Sequence, residues 1–193
     1  MSTVMNTILS NVKPIVVGED GSIAPEEFTE VELEFFQGWQ PVTKVTGKDF
    51  EELARVGQKI RAIPKLCWQN ARRVVQKLDE YADASYVEGI VCLNGGPAIE
   101  HAWVCLPDGT VIDPTLPRHT GVHFPGLEFR GRAGIEEFLS TPQGSACMKS
   151  PFFYAFGWGG RNSPGIQEAW RLSQVYMRER YPEAFTNEQG CTP

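Results

Sequence analysis

The sequence predicts an α+β protein in which helices pack on an antiparallel sheet. Apolar residues recur at helical spacing between residues 48 and 82. After residue 85 the pattern changes to short β-branched and aromatic runs, which are separated by Asn-Gly-Gly-Pro and Pro-Asp-Gly turn sequences. Helices followed by antiparallel strands are typical of the α+β class. The length of 193 residues favours a single domain over 1–193.

Three helices are predicted before the strands. The first spans residues 25–37, because a proline suits its first turn and acidic residues lie at its positive end. The second spans 48–62 and has apolar residues every three or four positions. Pro64 separates it from the third, over 65–82, which places Cys67 on its apolar face.

Three strands and two further helices follow. The runs 86–93, 99–106 and 110–113 are rich in strand-forming residues and are joined by short turns, so they predict an antiparallel meander. Helical patterns return near residues 133–140 and 165–180.

The turn between the second and third strands determines which side chains share a face. Leu106 to Thr110 fits a three-residue loop with Gly in the left-handed region, so that Leu106 faces Thr110. Asp113 is then opposite Trp103 and diagonal to His101, within reach of an imidazole–carboxylate hydrogen bond. A two-residue Asp-Gly turn would instead put His101 and Asp113 on opposite faces.

Cys67 is the candidate nucleophile of the chain. It lies in the first turn of the third helix, within a stretch from Arg55 to Lys77 that has seven basic residues and no acidic one. The helix N-terminus and these cations favour the thiolate, which His101 can activate and Asp113 can orient. The backbone N–H of Cys67 is a candidate oxyanion donor. Each of the three side chains also has a purely structural interpretation, such as a small apolar core residue for Cys67.

Composition excludes several function classes. The five cysteines are odd in number and widely spaced without a CxxC, which predicts neither a disulfide framework nor a zinc site. No nucleotide-binding motif is present, so no cofactor or metal is predicted. The net charge of −6 disfavours nucleic-acid binding. The lack of a long apolar run or secretory signal predicts no membrane partner and a cytoplasmic location.

Three short motifs resemble those of a known family. The motifs are Cys67-Trp68 at a helix start, His101-Ala102-Trp103-Val104, and the run from Asp108 to Thr115 that contains Asp113-Pro114. They are similar to the transglutaminase-like core of the papain-like cysteine-enzyme superfamily. The resemblance covers about residues 60–116, the predicted catalytic core. It implies a papain-like fold in which the central helix bears Cys67 and packs on an antiparallel sheet. It also implies Cys67 as nucleophile, His101 as general base and acid, and Asp113 as the orienting carboxylate.

These observations predict a cysteine hydrolase or peptidase, or an acyltransferase, that forms a thioester on Cys67. The small size favours hydrolysis of a protein, peptide or small amide, with Trp68 and Trp103 as predicted substrate contacts. Amine acyl transfer of the transglutaminase type and a non-enzymatic binding or inhibitor module are the alternatives. The segment 117–193 is an aromatic-rich C-terminal extension, whose cluster at 152–158 is interpreted as core packing rather than as a substrate wall.

Overall fold

The computed structural model describes residues 50–116, 121–157, 160 and 162–185. The helix predicted over 25–37 lies outside these residues. The described helices are α1 (Phe50–Ile60), α2 (Cys67–Lys77), α3 (Gly131–Leu139), α4 (Pro142–Ala146) and α5 (Pro164–Arg180). The strands are β1 (Ser85–Leu93), β2 (Ala98–Cys105), β3 (Val111–Ile112) and β4 (Gly121–Arg130), and 3-10 turns occur at Asp79–Tyr81 and Phe152–Phe156.

The four strands form one antiparallel sheet in the order β3-β2-β1-β4. The mixed architecture confirms the predicted α+β class, and β1, β2 and β3 form the predicted meander. The third predicted helix is shorter than expected, because α2 ends at Lys77 and the chain continues into a 3-10 turn.

β4 was not predicted, because its sequence contains Pro125 and two glycines. It is an edge strand, where proline is tolerated. Pro125 pairs with Gly89 of β1, next to a bulge at which the register shifts between Glu88 and Gly89.

The helices cover one face of the sheet. α2 packs on β2 and β1, α5 packs on β4 and β1, and α3 packs on β4. Strand alternation sends Ala102 and Val104 of β2 into the core beneath α2. That core also contains buried side chains of α1, α2, α3 and α5, which are Leu53, Val56, Ile60, Ala71, Val74, Val75, Ile135, Phe138 and Ile166.

The other face of the sheet carries His101 and Trp103 from β2. Trp103 forms a separate buried cluster with Val87, Val91 and Val111. β3 pairs only with Val104 and Cys105, so within the described chain β2 has no strand beside His101 on that edge. His101, one of the predicted catalytic residues, therefore lies at an open edge of the sheet.

None of the helices in the described part of the chain is both long enough and apolar enough to cross a membrane.

Gly89 is the residue opposite His101 in the β1–β2 ladder, and it has no room for a side chain. A Cβ atom at this position would overlap the carbonyl oxygen of Phe124 and would approach the Trp103 ring to 3.0 Å. We expect Gly89→Ala to destabilise the fold by about 3 kcal/mol or more, as backbone overlap cannot be relieved by a rotamer change. Gly109→Ala is the control, because its Cβ would meet nothing within 4 Å and its φ of +79° costs only ~1–2 kcal/mol. Urea unfolding of both variants measures the difference; equal losses would contradict the steric argument.

Candidate active site

His101 and Asp113 form a buried pair across the hairpin. His101 Nε2 lies 2.6 Å from Asp113 Oδ2, and the two side chains are only 3% and 4% exposed. The contact follows from the predicted register, because Val104 pairs with Ile112 and Gly109 has a φ of +79°. The three-residue loop is therefore confirmed, and the two-residue turn is excluded.

The Asp113 carboxylate is held from both sides. Its Oδ1 accepts hydrogen bonds from the backbone N–H groups of Thr115 and Leu116, each at 2.9 Å, while Oδ2 contacts His101. Burial acts to raise the pKa of Asp113, but the His101 charge and these hydrogen bonds outweigh burial and lower it. Asp113 is therefore ionised at neutral pH.

The pKa of the His101 imidazole is strongly raised. Burial acts to lower its pKa, but the Asp113 carboxylate and the Cys67 thiol outweigh burial and raise it to about 10. His101 is thus an imidazolium across the physiological pH range.

Cys67 is the first residue of α2 and is partly buried. The N-cap residue Leu66 offers no side-chain hydrogen bond, and the first turn contains no acidic residue. The first backbone N–H groups of such a helix have no intrahelical acceptor, and they carry its positive end. Lys65, two residues earlier, has a φ of +67°, a left-handed conformation that is uncommon for a residue with a side chain. The chain thus turns sharply immediately before the thiol.

Asn70 is the residue of the site that the sequence analysis missed. Its fully buried amide donates to the Ile63 carbonyl at 2.8 Å and to Thr115 Oγ1 at 2.9 Å, and its oxygen accepts from the Ile63 N–H at 2.9 Å. It therefore joins the loop before α2, the first turn of α2 and the segment that follows Asp113. The signal in the sequence was a polar residue at i+3 from Cys67, on the side of the helix that meets the core.

The two tryptophans occupy different environments. Trp68 is partly buried and lies beside the Arg72 guanidinium, whose carbon is 4.3 Å from the indole centroid. Trp103 has no exposed surface. It stacks on His101 with ring centroids 6.4 Å apart, and it makes an edge-to-face contact with His123, with ring centroids 4.8 Å apart. Trp103 therefore shields one side of the imidazole, and the substrate contacts of both residues stay predictions.

Of the three predicted site residues, His101 and Asp113 are in direct contact, and the Cys67 thiol interacts electrostatically with the His101 imidazole. Among the described residues, no group of three or more His, Cys, Asp and Glu side chains could hold a metal ion.

Comparison of the chain with models of protein families, with curated proteins and with solved structures found no match. The resemblance to the transglutaminase-like core therefore stays a prediction, and the chemistry of the site rests on its own geometry.

The raised pKa of His101 predicts a pH-dependent stability. The folded value of about 10 lies above the ordinary value of 6.5, so the stabilisation is complete below pH 6.5 and is lost as the pH rises toward 10. We expect wild type to lose more unfolding free energy between pH 6.5 and 9.5 than Asp113→Asn, in which His101 lacks its counter-charge. Urea unfolding at several pH values measures this difference, and parallel losses in the two proteins would refute the coupling.

The hydrogen bonds of Asn70 predict that its truncation loosens the site. We expect Asn70→Ala to lower the unfolding free energy by about 2–3 kcal/mol, since three buried hydrogen bonds are lost and the Ile63 N–H is left without its acceptor. Gln76→Ala is the matched control, because Gln76 is a partly exposed amide of the same helix and its truncation should cost no more than about 0.5 kcal/mol. Similar losses of unfolding free energy in Asn70→Ala and Gln76→Ala would show that Asn70 does not hold α2 against the loop before it and the segment after Asp113.

Proposed function

We propose that this protein is a cysteine-dependent acyl-transfer enzyme of papain-like, transglutaminase-like fold that hydrolyses an amide or peptide bond through a thioester on Cys67. The observation that carries the proposal is the buried His101–Asp113 pair, whose Nε2 and Oδ2 atoms are 2.6 Å apart and whose imidazole also interacts electrostatically with the Cys67 thiol. A thiol beside an imidazole that a third group orients is the arrangement needed for nucleophilic catalysis.

In the proposed first step the Cys67 thiolate attacks the substrate carbonyl carbon. The negative charge that develops on the carbonyl oxygen lies near the uncapped N-terminus of α2, whose N–H groups point out of the helix. The His101 imidazolium then gives its proton to the leaving amine, and the C–N bond breaks. The products of this step are the free amine, a neutral imidazole and a thioester on Cys67.

In the second step water attacks the thioester carbonyl. His101 now acts as the general base and takes a proton from the water, and the C–S bond breaks to release the carboxylic acid. Asp113 keeps the imidazole in one orientation and stabilises it each time it carries the charge. The thiolate–imidazolium pair is thereby restored.

The proposal predicts that Cys67 is the most reactive thiol of the chain. At pH 7 we expect iodoacetamide to alkylate Cys67 at least about tenfold faster than Cys92 or Cys105, because thiolate is the attacking form. Burial raises the pKa of Cys92 to about 11 and also raises that of Cys105, so both stay protonated. His101→Ala should slow the Cys67 reaction about tenfold and leave the other two unchanged. Peptide mass spectrometry measures each rate.

Acyl transfer itself is tested with p-nitrophenyl acetate. We expect a burst of p-nitrophenolate and an acetyl adduct on the Cys67 peptide, both absent in Cys67→Ala and present in Cys105→Ser. Transfer of the acetyl group to an added primary amine rather than to water would identify the transglutaminase-type alternative. Slow alkylation of Cys67 that does not depend on His101 would contradict an enzymatic role and favour a binding module.

A further inference from the structure

Arg72 is a buried cation one helical turn after Trp68 in α2. Its side chain is 5% exposed in a position that the helix turns toward the core. The guanidinium carbon lies 4.3 Å from the Trp68 ring centroid and 4.2 Å from that of Phe152, so the flat cation is held between two aromatic faces. Trp68 is the residue directly after Cys67, and Arg72 therefore contacts the neighbour of the nucleophile.

The nitrogen atoms of Arg72 bind a distant segment of backbone. Nη1 donates to the carbonyl oxygens of Cys147 and Met148 at 3.3 and 3.4 Å, and Nη2 donates to that of Ser150. These three carbonyl acceptors lie 75 to 78 positions after Arg72 in the sequence, and all of them bind its side chain. Residues 147–152 are thereby tied to the helix that bears Cys67.

A buried carboxylate of β1 holds the same segment from the sheet. Glu88 accepts hydrogen bonds from the backbone N–H groups of Phe152 and Phe153, each at 2.7 Å, and from the Tyr86 hydroxyl. Phe152 and Phe153 are themselves buried, which agrees with the predicted core packing of this aromatic cluster. The segment is therefore fixed to β1 by Glu88 and to α2 by Arg72.

This network also extends toward the nucleophile. The Tyr86 phenol interacts electrostatically with Arg72, with Glu88 and with Cys67. A shift of Arg72 would therefore be felt by Trp68 and by the first turn of α2, which bears Cys67.

We propose that Arg72 is a positioning residue for acyl transfer at Cys67, which clamps Trp68 and the first turn of α2 against residues 147–152. This inference rests on the proposed function. Arginine suits the role because its planar guanidinium stacks on two rings while it donates in its own plane, which a lysine ammonium cannot do.

Positioning and activation of the thiol make different demands. Alkylation by a small reagent needs only the thiolate, which the His101–Asp113 pair favours. Acylation also needs the thiol, the imidazole and the first-turn N–H groups in one geometry around the carbonyl carbon. A misplacement of about 1 Å can cost about 100-fold in such a step. A positioning residue should therefore affect acylation far more than alkylation.

The test compares Arg72→Lys with Arg73→Lys in the full chain. Arg73 is the next residue of α2 and, among the described residues, donates only to the Arg61 carbonyl at 3.3 Å, so its variant is the matched control. We expect Arg72→Lys to slow p-nitrophenyl acetate acylation about tenfold or more while its Cys67 alkylation by iodoacetamide stays within about twofold of wild type. Arg73→Lys should change neither rate by more than about twofold. Circular dichroism and thermal melting check that each variant is folded.

A second pair of variants keeps the test decisive if Arg72→Lys does not fold. Trp68→Phe retains an aromatic face for Arg72, whereas Trp68→Leu removes it. We expect Trp68→Leu to reduce acylation as Arg72→Lys does, and to reduce it more than Trp68→Phe does. If both sites act through the same stack, the double variant Arg72→Lys, Trp68→Leu should be little slower than either single variant.

The outcomes separate the inference from the proposed function. If wild type shows a burst and the folded Arg72→Lys variant shows the same burst at the same rate, the positioning role is overturned. An equal fall of alkylation and acylation would also overturn it, as it would indicate a general loss of structure. The absence of both rapid alkylation and a burst in wild type would instead remove the proposed function and this inference with it.

Discussion

The register of the β2–β3 hairpin is the constraint on which the site depends. Because side chains alternate along a strand, a slip of one residue would send Asp113 to the face opposite His101. The left-handed Gly109 closes the loop, and Asp108 Oδ1 accepts from the Thr110 N–H at 2.9 Å, so the turn that sets the register is itself hydrogen-bonded. A buried imidazolium without a carboxylate partner would be strongly unfavourable. The turn therefore places Asp113 beside His101 and, through this contact, also determines the charge state of His101.

α2 is the second component of the site, and two polar side chains from its first two turns hold it in place. Asn70 joins it to the segment after Asp113, and Arg72 joins it to residues 147–152. Both side chains reach from a helix whose apolar residues already pack on the sheet. Apolar burial favours the contact between helix and sheet but is not directional, whereas hydrogen bonds specify the rotation and the height of the helix. The position of Cys67 beside the open edge of β2 follows from these directional contacts.

The sequence was most informative where structure is decided locally. Helical periodicity located α1, α2 and α5, and the Pro-Asp-Gly turn predicted the hairpin register and hence the His101–Asp113 contact. β4 was missed because its pairing partner lies about 35 residues earlier in the chain and Pro125 argues against a strand unless the edge position and the bulge are known. Asn70 and Arg72 were missed for a related reason. Thr115, the distant partner of Asn70, lies 45 residues away and the partners of Arg72 lie 75–78 residues away, so the positions of these two residues on α2 do not reveal the contacts they make.

Two buried carboxylates show how this fold assigns different tasks to the same chemical group. Burial acts to raise the pKa of both. In Asp113 the imidazolium and two backbone N–H groups outweigh burial, and the pKa is lowered. In Glu88 burial outweighs the hydrogen bonds from Tyr86, Phe152 and Phe153, and the pKa is raised. The difference is the partner: Asp113 has a cation in direct contact, whereas the direct partners of Glu88 are neutral donors. Asp113 is thus suited to hold a charge during the proposed reaction, and Glu88 is suited to hold backbone in place.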